Sequence, residues 1–187
     1  MTPYDTPQSS ILFAQSGIDR EHPDFFPAFV MNQILGAGGF GSRLMTEVRE
    51  KRGLTYGIYA YLAQKDHADL LIGRVATANA TVGETIDIVR AEWQRMVDEG
   101  GTDEELSQAK TYLTGAYPLR FDGNGRIASI LAGMQIDEMP IDYINTRNAK
   151  VEAVTLADVN RVAGELLNPE ALTFVVVGQP EESAPAS

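Results

Sequence analysis

Residues 35–61 read LGAGGFGSRLMTEVREKRGLTYGIYAY and contain the pattern that decides the fold. A glycine-rich loop leads into a short helix, for which Ser42 is a natural N-cap because its hydroxyl can accept a backbone N–H of the first turn. Gly53 takes the C′ position, where helices commonly end. A strand is predicted to follow at once, over residues 55–63, because apolar residues alternate there. One face of this strand is predicted to carry Tyr56, Ile58, Ala60 and Leu62.

Two residues of this stretch, Arg49 and Tyr56, have side chains suited to binding a peptide carbonyl. Arg49 shares a helix face with Met45 and Val48, so its stem is predicted to pack while its guanidinium stays accessible. Tyr56 is predicted to enter the adjoining strand, close enough for both polar tips to reach one cavity. A guanidinium and a phenol can both donate hydrogen bonds to a peptide carbonyl, or to the oxyanion that it becomes.

An ordinary structural role for the same two residues remains open from the residues alone. Arg49 could form a salt bridge with Glu50 or Asp66 while Tyr56 packs in the sheet, and such surface pairs are common. If the register differs, the substitutes are Arg43, Arg52 and Tyr59.

The glycine-rich loop, residues 36–41, matches G-x-G-x-x-G but lacks the setting of a dinucleotide site. That fingerprint follows a strand inside a βαβ unit, whereas this one follows an apolar helical run. A Walker A loop would need Gly-Lys-Ser/Thr, which is absent. Two interpretations remain open: a helix–helix turn that uses positive φ, or a loop kept small so that an extended peptide can approach its backbone. The second would make peptide-binding residues of Gly38, Gly39, Phe40 and Gly41.

Periodicity and caps predict the rest of the chain. The predicted strands are residues 9–15, 55–63, 70–78 and 172–177, the last of them buried. The predicted helices span residues 23–35, 42–52, 82–96, 102–116 and 125–137, a short segment after Pro140, and residues 155–166. This order indicates an α+β fold, a two-layer sandwich of a mostly antiparallel sheet with helices on one face. A single domain is expected over residues 1–180, followed by a disordered tail at 181–187.

Composition excludes several classes of function. The 187 residues carry a net charge of −11, which argues against nucleic acid as a partner, and include no Cys, which excludes thiolate chemistry. No apolar run approaches the roughly 20 residues of a membrane span. The two His, His22 and His67, are 45 positions apart and neither begins H-x-x-E-H, so no zinc is expected in this chain. We expect a soluble protein of the bacterial cytoplasm or periplasm, since the chain carries no secretory signal.

The stretch around Arg49 and Tyr56 resembles the non-catalytic half of the pitrilysin/insulinase family of zinc peptidases, which includes the mitochondrial processing peptidase. Two further stretches resemble that half as well, TDEELSQAKTYLTGAYPLRFDGNGRIASILAGMQ at residues 102–135 and ALTFVVVG at residues 171–178. The resemblance therefore covers nearly the whole chain.

The resemblance implies that this chain is the C-terminal, metal-free half of such a peptidase and is inert alone. A homologous partner half, on the same polypeptide or a separate subunit, would hold zinc through H-x-x-E-H. This half would bind the peptide substrate, with Arg49 and Tyr56 near the scissile carbonyl and the glycine loop beside them. Two alternatives stay open: a scaffold without proteolysis, like the core proteins of the respiratory bc complex, and a nucleotide-dependent enzyme that uses the glycine loop.

Overall fold

The computed structural model describes residues 1–181, apart from the side chain of Phe40. Its strands are β1 (Thr2–Pro3), β2 (Gln8–Ser16), β3 (Ile58–Ala63), β4 (Leu70–Ala78) and β5 (Thr173–Gly178). Its α-helices are α1 (Phe25–Asn32), α2 (Val82–Glu99), α3 (Asp103–Ala116), α4 (Asn124–Ile136), α5 (Tyr143–Ala153) and α6 (Leu156–Leu166). Two π-helical segments span Gln33–Ala37 and Met45–Glu50, and short 3₁₀ turns span Gly39–Gly41, Asn79–Thr81, Pro118–Phe121 and Pro169–Ala171.

The strands form one sheet in the order β1-β5-β2-β4-β3. Every pairing in it is antiparallel except β1 with β5, which is parallel. Alternate residues of each long strand point into the helical layer, for example Ile11 and Val75, which face each other across β2 and β4. The opposite face keeps partly exposed apolar residues: Leu12, Tyr59, Tyr61, Val175 and Val177. The predicted α+β sandwich with a mostly antiparallel sheet is confirmed.

The core is centred on Trp93 of α2, which is fully buried against the sheet. Its ring meets Phe13 of β2 edge-on, with 5.6 Å between ring centroids. The buried carboxamide of Gln15 ties this centre to the end of α6: its Oε1 accepts from Trp93 Nε1 at 2.9 Å, and its Nε2 donates to the Leu166 carbonyl at 2.7 Å. The same Oε1 accepts the N–H of Asn168 at 3.1 Å. One polar side chain therefore satisfies three groups at the base of the core.

Helix caps follow the sequence closely. Thr102 and Thr155 each form a capping box, the first with Glu105 and the second with Asp158. In both, the threonine hydroxyl accepts the N3 amide while the N3 carboxylate accepts the cap amide, so two orphan N–H groups are satisfied at once. The starts of α3 and α6 could therefore be predicted from residues close together in the sequence.

Two edges limit the sheet, and each is partly covered. Along β3, the outward carbonyl of Ala60 accepts from the Asn32 amide at 3.1 Å, and the outward N–H of Ile58 meets the Met45 sulfur at 3.4 Å. The other edge strand, β1, has two residues, one of which is Pro3, and pairs only with Val177 and Gly178 of β5.

Three predictions need correction. The strand predicted from Thr55 begins at Ile58, because the preceding residues form a loop. The last strand is not buried, because one of its faces belongs to the uncovered side of the sheet, where Val175 and Val177 are exposed. The helix after Ser42 is mostly π-helical rather than α-helical.

The predicted tail, residues 181–187, lies outside the described residues except for Glu181, whose N–H donates to the Asn79 carbonyl at 3.2 Å. The domain limits of 1–180 stay a prediction. Within residues 1–181, no helix is long and apolar enough to cross a membrane.

Candidate functional site

Arg49 lies near the end of the π-helical segment Met45–Glu50. The segment is anchored from inside by the buried side chains of Met45 and Val48. At its start, the Met45 N–H donates to the Ser42 hydroxyl at 3.4 Å. Its end is closed by Gly53, whose φ is 65° and whose N–H donates to the Arg49 carbonyl at 2.8 Å. Arg49 is partly buried and interacts with another group. The packing of its stem and the accessibility of its guanidinium stay predictions.

Tyr56 lies in the loop between this helical segment and β3, not in the strand where it was predicted. Its side chain is 91% exposed, and its hydroxyl has no hydrogen-bond partner among the described residues. The alternative in which Tyr56 packs in the sheet is therefore wrong.

The loop that carries Tyr56 is well ordered by hydrogen bonds. The Thr55 hydroxyl lies 2.7 Å from the Ala76 carbonyl and 3.1 Å from the Gly57 N–H. The Thr77 hydroxyl donates to the Leu54 carbonyl at 2.7 Å. The backbone is thus held on both sides of an exposed phenol.

A cluster of charged residues lies beside the helical segment and consists of Glu47, Lys51, Arg52, Glu92 and Arg95. Glu47 is buried and receives hydrogen bonds from Lys51 at 2.6 Å and from Arg52 at 2.7 Å. Burial alone would raise the pKa of Glu47, but these two cations outweigh burial and hold the pKa below its usual value. On α2, Arg95 pairs with Glu92 at 2.7 Å, and burial raises the pKa of Glu92. Lys51 and Arg52 thus bind back to Glu47 at the end of the helical segment. Arg95 of α2 lies 3.8 Å from the same carboxylate, so this end lies beside α2.

The three substitute residues from the sequence are engaged elsewhere. Arg43 is buried and binds Glu105 through two hydrogen bonds of 2.6 and 2.8 Å. Arg52 binds Glu47, as described above. The guanidinium carbon of Arg74 lies over the Tyr59 ring, 5.7 Å from the ring centroid. Arg49 also interacts with another group, so these contacts do not by themselves select an arginine. Among Tyr56, Tyr59 and Tyr61, Tyr56 is the most exposed, at 91%.

The glycine loop connects the two π-helical segments, so it does not follow a strand as a dinucleotide loop would. Gly39 has φ 57°, a conformation that L side chains rarely adopt, whereas Gly38 has φ −75°. A Cβ on Gly38 would lie 2.7 Å from the Gln33 carbonyl, while Gly39 and Gly41 face open space. The turn interpretation thus holds for Gly39, and the open space at Gly39 and Gly41 is compatible with the approach of a peptide. The side chain of Phe40 lies outside the description.

Metal ligation finds no support in the described chain. His22 is half exposed, and its Nδ1 accepts the Asp24 N–H at 3.1 Å. His67 is exposed in the turn between β3 and β4. Across residues 1–181, no three His, Cys, Asp or Glu side chains lie close enough together to hold a metal ion.

One cleft, of about 1220 Å³, lies away from Arg49 and Tyr56. It is lined by the β2–α1 loop, the β3–β4 turn and the α4–α5 loop. That turn is at the far end of β3 from Tyr56. Several carboxylates of the cleft have structural partners; for example, Asp24 pairs with Arg161. Neither Arg49 nor Tyr56 lines this cleft.

The hydrogen bonds by which Thr55 and Thr77 hold the Tyr56 loop were not predicted from the sequence, and neither were the ion pairs around Glu47. The only local signal was Thr55 two residues before a glycine, a spacing at which threonine hydroxyls often bond their own backbone. Neither the link from Thr55 to β4 nor the closeness of Arg95 to Glu47 has a sequence pattern, because these partners are 21 and 48 positions away.

Comparisons with known proteins identify the family and the fold of this chain. Residues 2–113 match the sequence model of the peptidase M16 inactive domain. The chain is 29% identical over 165 residues to an uncharacterized zinc protease of Streptomyces coelicolor, covering 87% of this chain and 35% of that protein. It is 28% identical over 174 residues to a non-peptidase homolog of Helicobacter pylori, covering 92% and 40%.

Among solved structures, a peptidase M16 inactive domain from Pseudomonas fluorescens superposes with a TM-score of 0.85 at 32% identity, covering 98% of this chain and 44% of that one. The chain thus spans well under half the length of these three proteins.

Proposed function

Because the chain belongs to the peptidase M16 inactive domain family, we propose that it is the substrate-binding, non-catalytic half of a zinc peptidase. Its partner would be a homologous half that carries H-x-x-E-H, on the same polypeptide or on a second subunit. The two together would hydrolyse peptides. The observation that carries the proposal is the exposed phenol of Tyr56, held on a hydrogen-bonded loop beside the helical segment that carries Arg49.

The zinc of the partner half would supply Lewis-acid chemistry and an activated water. This chain would act on the other side of the scissile bond. When water adds to the carbonyl carbon, the carbonyl oxygen gains negative charge, and the Tyr56 hydroxyl can donate a hydrogen bond to it. A donor aimed at the developing charge stabilises the transition state more than the bound substrate.

Arg49 would help to hold the peptide. A guanidinium has five N–H donors, so the contact that it already makes leaves donors for a substrate carbonyl. The glycine loop would keep side chains out of the path of the peptide, since Gly39 and Gly41 present no Cβ to it.

The test uses the zinc-loaded assembly of this chain with its H-x-x-E-H half and internally quenched peptides as probes. Tyr56→Phe should lower kcat by a factor of about 10²–10³, as the loss of one oxyanion donor typically does, with a much smaller change in KM. Tyr112→Phe removes a hydroxyl from another exposed tyrosine, on α3, and serves as the matched control. Unfolding midpoints of all variants show whether the fold is intact.

Two further measurements complete this test. Tyr59→Phe tests whether the neighbouring tyrosine is the donor. A large fall in kcat for Tyr59→Phe, with none for Tyr56→Phe, would assign the donor role to Tyr59. Metal analysis of the isolated chain after dialysis should find no stoichiometric zinc; one tightly held zinc per chain would contradict the non-catalytic assignment. Full activity of the Tyr56→Phe assembly would remove Tyr56 from the reaction.

A scaffold role is the second candidate, and it is favoured by the non-peptidase homolog among the relatives. Two results would favour the scaffold role instead. One is a parent protein that lacks H-x-x-E-H, and the other is a zinc-loaded assembly that cleaves none of the probe peptides. A nucleotide-dependent enzyme is disfavoured by the position of the glycine loop between two helical segments.

A further inference from the structure

We propose that Thr55 is a positioning residue for Tyr56: its hydroxyl fixes the loop backbone that sets where the phenol is displayed. This inference rests on the proposed function, because it takes Tyr56 as the hydrogen-bond donor to the substrate. The inference adds Thr55 to the proposed site, a residue that neither the spacing of Arg49 and Tyr56 nor the glycine loop indicates.

The exposure of Tyr56 makes its backbone decisive. With 91% of its surface exposed and no hydrogen bond from its hydroxyl to a described residue, the ring is not located by packing. Its position is therefore set by the loop that carries it. A donor to a developing oxyanion must be placed to within a fraction of an ångström, so this loop has to be rigid.

The Thr55 hydroxyl supplies that rigidity on the C-terminal side of Tyr56. Its oxygen lies 2.7 Å from the Ala76 carbonyl, 3.1 Å from the Gly57 N–H and 3.0 Å from the Gly57 carbonyl. A hydroxyl has one proton and two lone pairs, so it can donate to Ala76, the shortest contact, while it accepts from Gly57. One side chain thus closes the turn around Tyr56 and joins that turn to β4.

A second threonine holds the N-terminal side. The buried Thr77 of β4 donates to the Leu54 carbonyl at 2.7 Å. Its oxygen also lies 2.7 Å from the Thr81 hydroxyl and 3.4 Å from the Thr85 hydroxyl, at the start of α2. Because Thr77 supports the fold as well as the loop, Thr55 is the cleaner position for an experiment.

Thr55→Val keeps the shape of the side chain and removes its proton and its acceptor. In the zinc-loaded assembly with the H-x-x-E-H half, we expect kcat to fall about tenfold or more, since small misplacements of a reacting group are costly. The melting temperature should move by no more than about 8 °C, the effect of losing two ordinary hydrogen bonds. Thr55→Ser restores the hydroxyl and should restore kcat to within about threefold of the wild type.

Thr114→Val is the matched control. Thr114 also donates to one backbone carbonyl, that of Lys110 at 2.8 Å, but it lies on α3, away from the loop. This variant should leave kcat unchanged. A loss equal to that of Thr55→Val would show a general cost of removing a threonine hydroxyl and would overturn the proposal.

Two readouts separate positioning from mere stability. In the isolated chain, hydrogen exchange of the Gly57 amide should accelerate in Thr55→Val and stay slow in Thr55→Ser, because that amide donates to the hydroxyl. In the assembly, adding Thr55→Val to Tyr56→Phe should cost little more than Tyr56→Phe alone, since both act on the same hydrogen bond.

The outcomes distinguish this inference from the proposed function. If Tyr56→Phe leaves kcat intact, the proposed role of Tyr56 fails and the inference fails with it. If Tyr56→Phe lowers kcat but Thr55→Val does not, the function stands and the positioning role is overturned. Additive losses in the double variant, or unchanged exchange at Gly57, would overturn the positioning role as well.

Discussion

Gln15 is predicted to be one of the most sensitive core positions, although it is polar. Its carboxamide is buried and has three partners that are distant in the chain, the Trp93 indole N–H, the Leu166 carbonyl and the Asn168 N–H. It also donates to the carbonyl of the adjacent Ser16 at 3.2 Å. Gln15→Met preserves length and volume closely, so the substitution removes hydrogen bonds with little loss of packing.

The magnitude follows from what the partners can do once the carboxamide is gone. The Trp93 indole lies in the centre of the core and cannot reach water, so leaving its N–H unpaired costs about 1–3 kcal/mol. The groups of Leu166 and Asn168 lie nearer the surface and can be partly hydrated, which adds about 1 kcal/mol between them. We therefore expect a loss of about 2–4 kcal/mol in the free energy of unfolding, or a fall in Tm of about 4–16 °C for a chain of this size.

The assay is urea unfolding followed by fluorescence, which reports on the core directly because Trp93 is the only tryptophan. Gln94→Met is the matched control: Gln94 is exposed and donates only to Asp98, one turn further along α2. The control should change the free energy of unfolding by no more than about 0.5 kcal/mol. A loss below about 1 kcal/mol in Gln15→Met would refute the argument that the indole N–H depends on this carboxamide.

Two further predictions concern the segments beside the site. Gly39→Val places a β-branched residue at φ 57° and should cost about 1–3 kcal/mol in the free energy of unfolding, whereas Gly41→Ala, in open space without positive φ, should cost little; equal effects would show that the backbone strain is unimportant. Since the pKa of Glu47 is lower in the folded chain than its ordinary value in an unfolded chain, the stability that it provides is complete above that ordinary value and is lost as the pH falls through the folded pKa. The stability difference between the wild type and Glu47→Gln should therefore shrink from about pH 6 to about pH 3, and a constant difference would contradict the charge-assisted pairing with Lys51 and Arg52.

The sequence was most informative where structure depends on neighbours in the chain. The capping boxes at Thr102 and Thr155 use partners three residues away, so their residue types alone predict the helix starts. The Gly53 turn is local in the same way: the sequence predicted its C′ position, and its φ of 65° is typical of a glycine there.

The site was predictable only in part, because its geometry depends on distant partners. Tyr56 continues the apolar alternation of β3, so the pattern predicted a strand, but the Thr55 hydroxyl binds β4 and diverts the chain into a loop. Arg43 was a plausible substrate ligand until its bond to Glu105, 62 positions away, placed it in the core. Period and propensity carry no information about such pairings.

The two edges of the sheet bear on how this domain behaves in concentrated solution. A free edge strand attracts other chains because alternate backbone groups lie open as a template for a further strand. Along β3, an incoming strand would find the Asn32 amide already on the Ala60 carbonyl, and the Met45 sulfur over the Ile58 N–H. At the opposite edge, β1 is too short to template a ladder, but it pairs only with Val177 and Gly178, so residues 173–176 of β5 have no strand on their outer side among the described residues. If edge-to-edge aggregation occurs, we therefore expect it to start at β5 and not at β3.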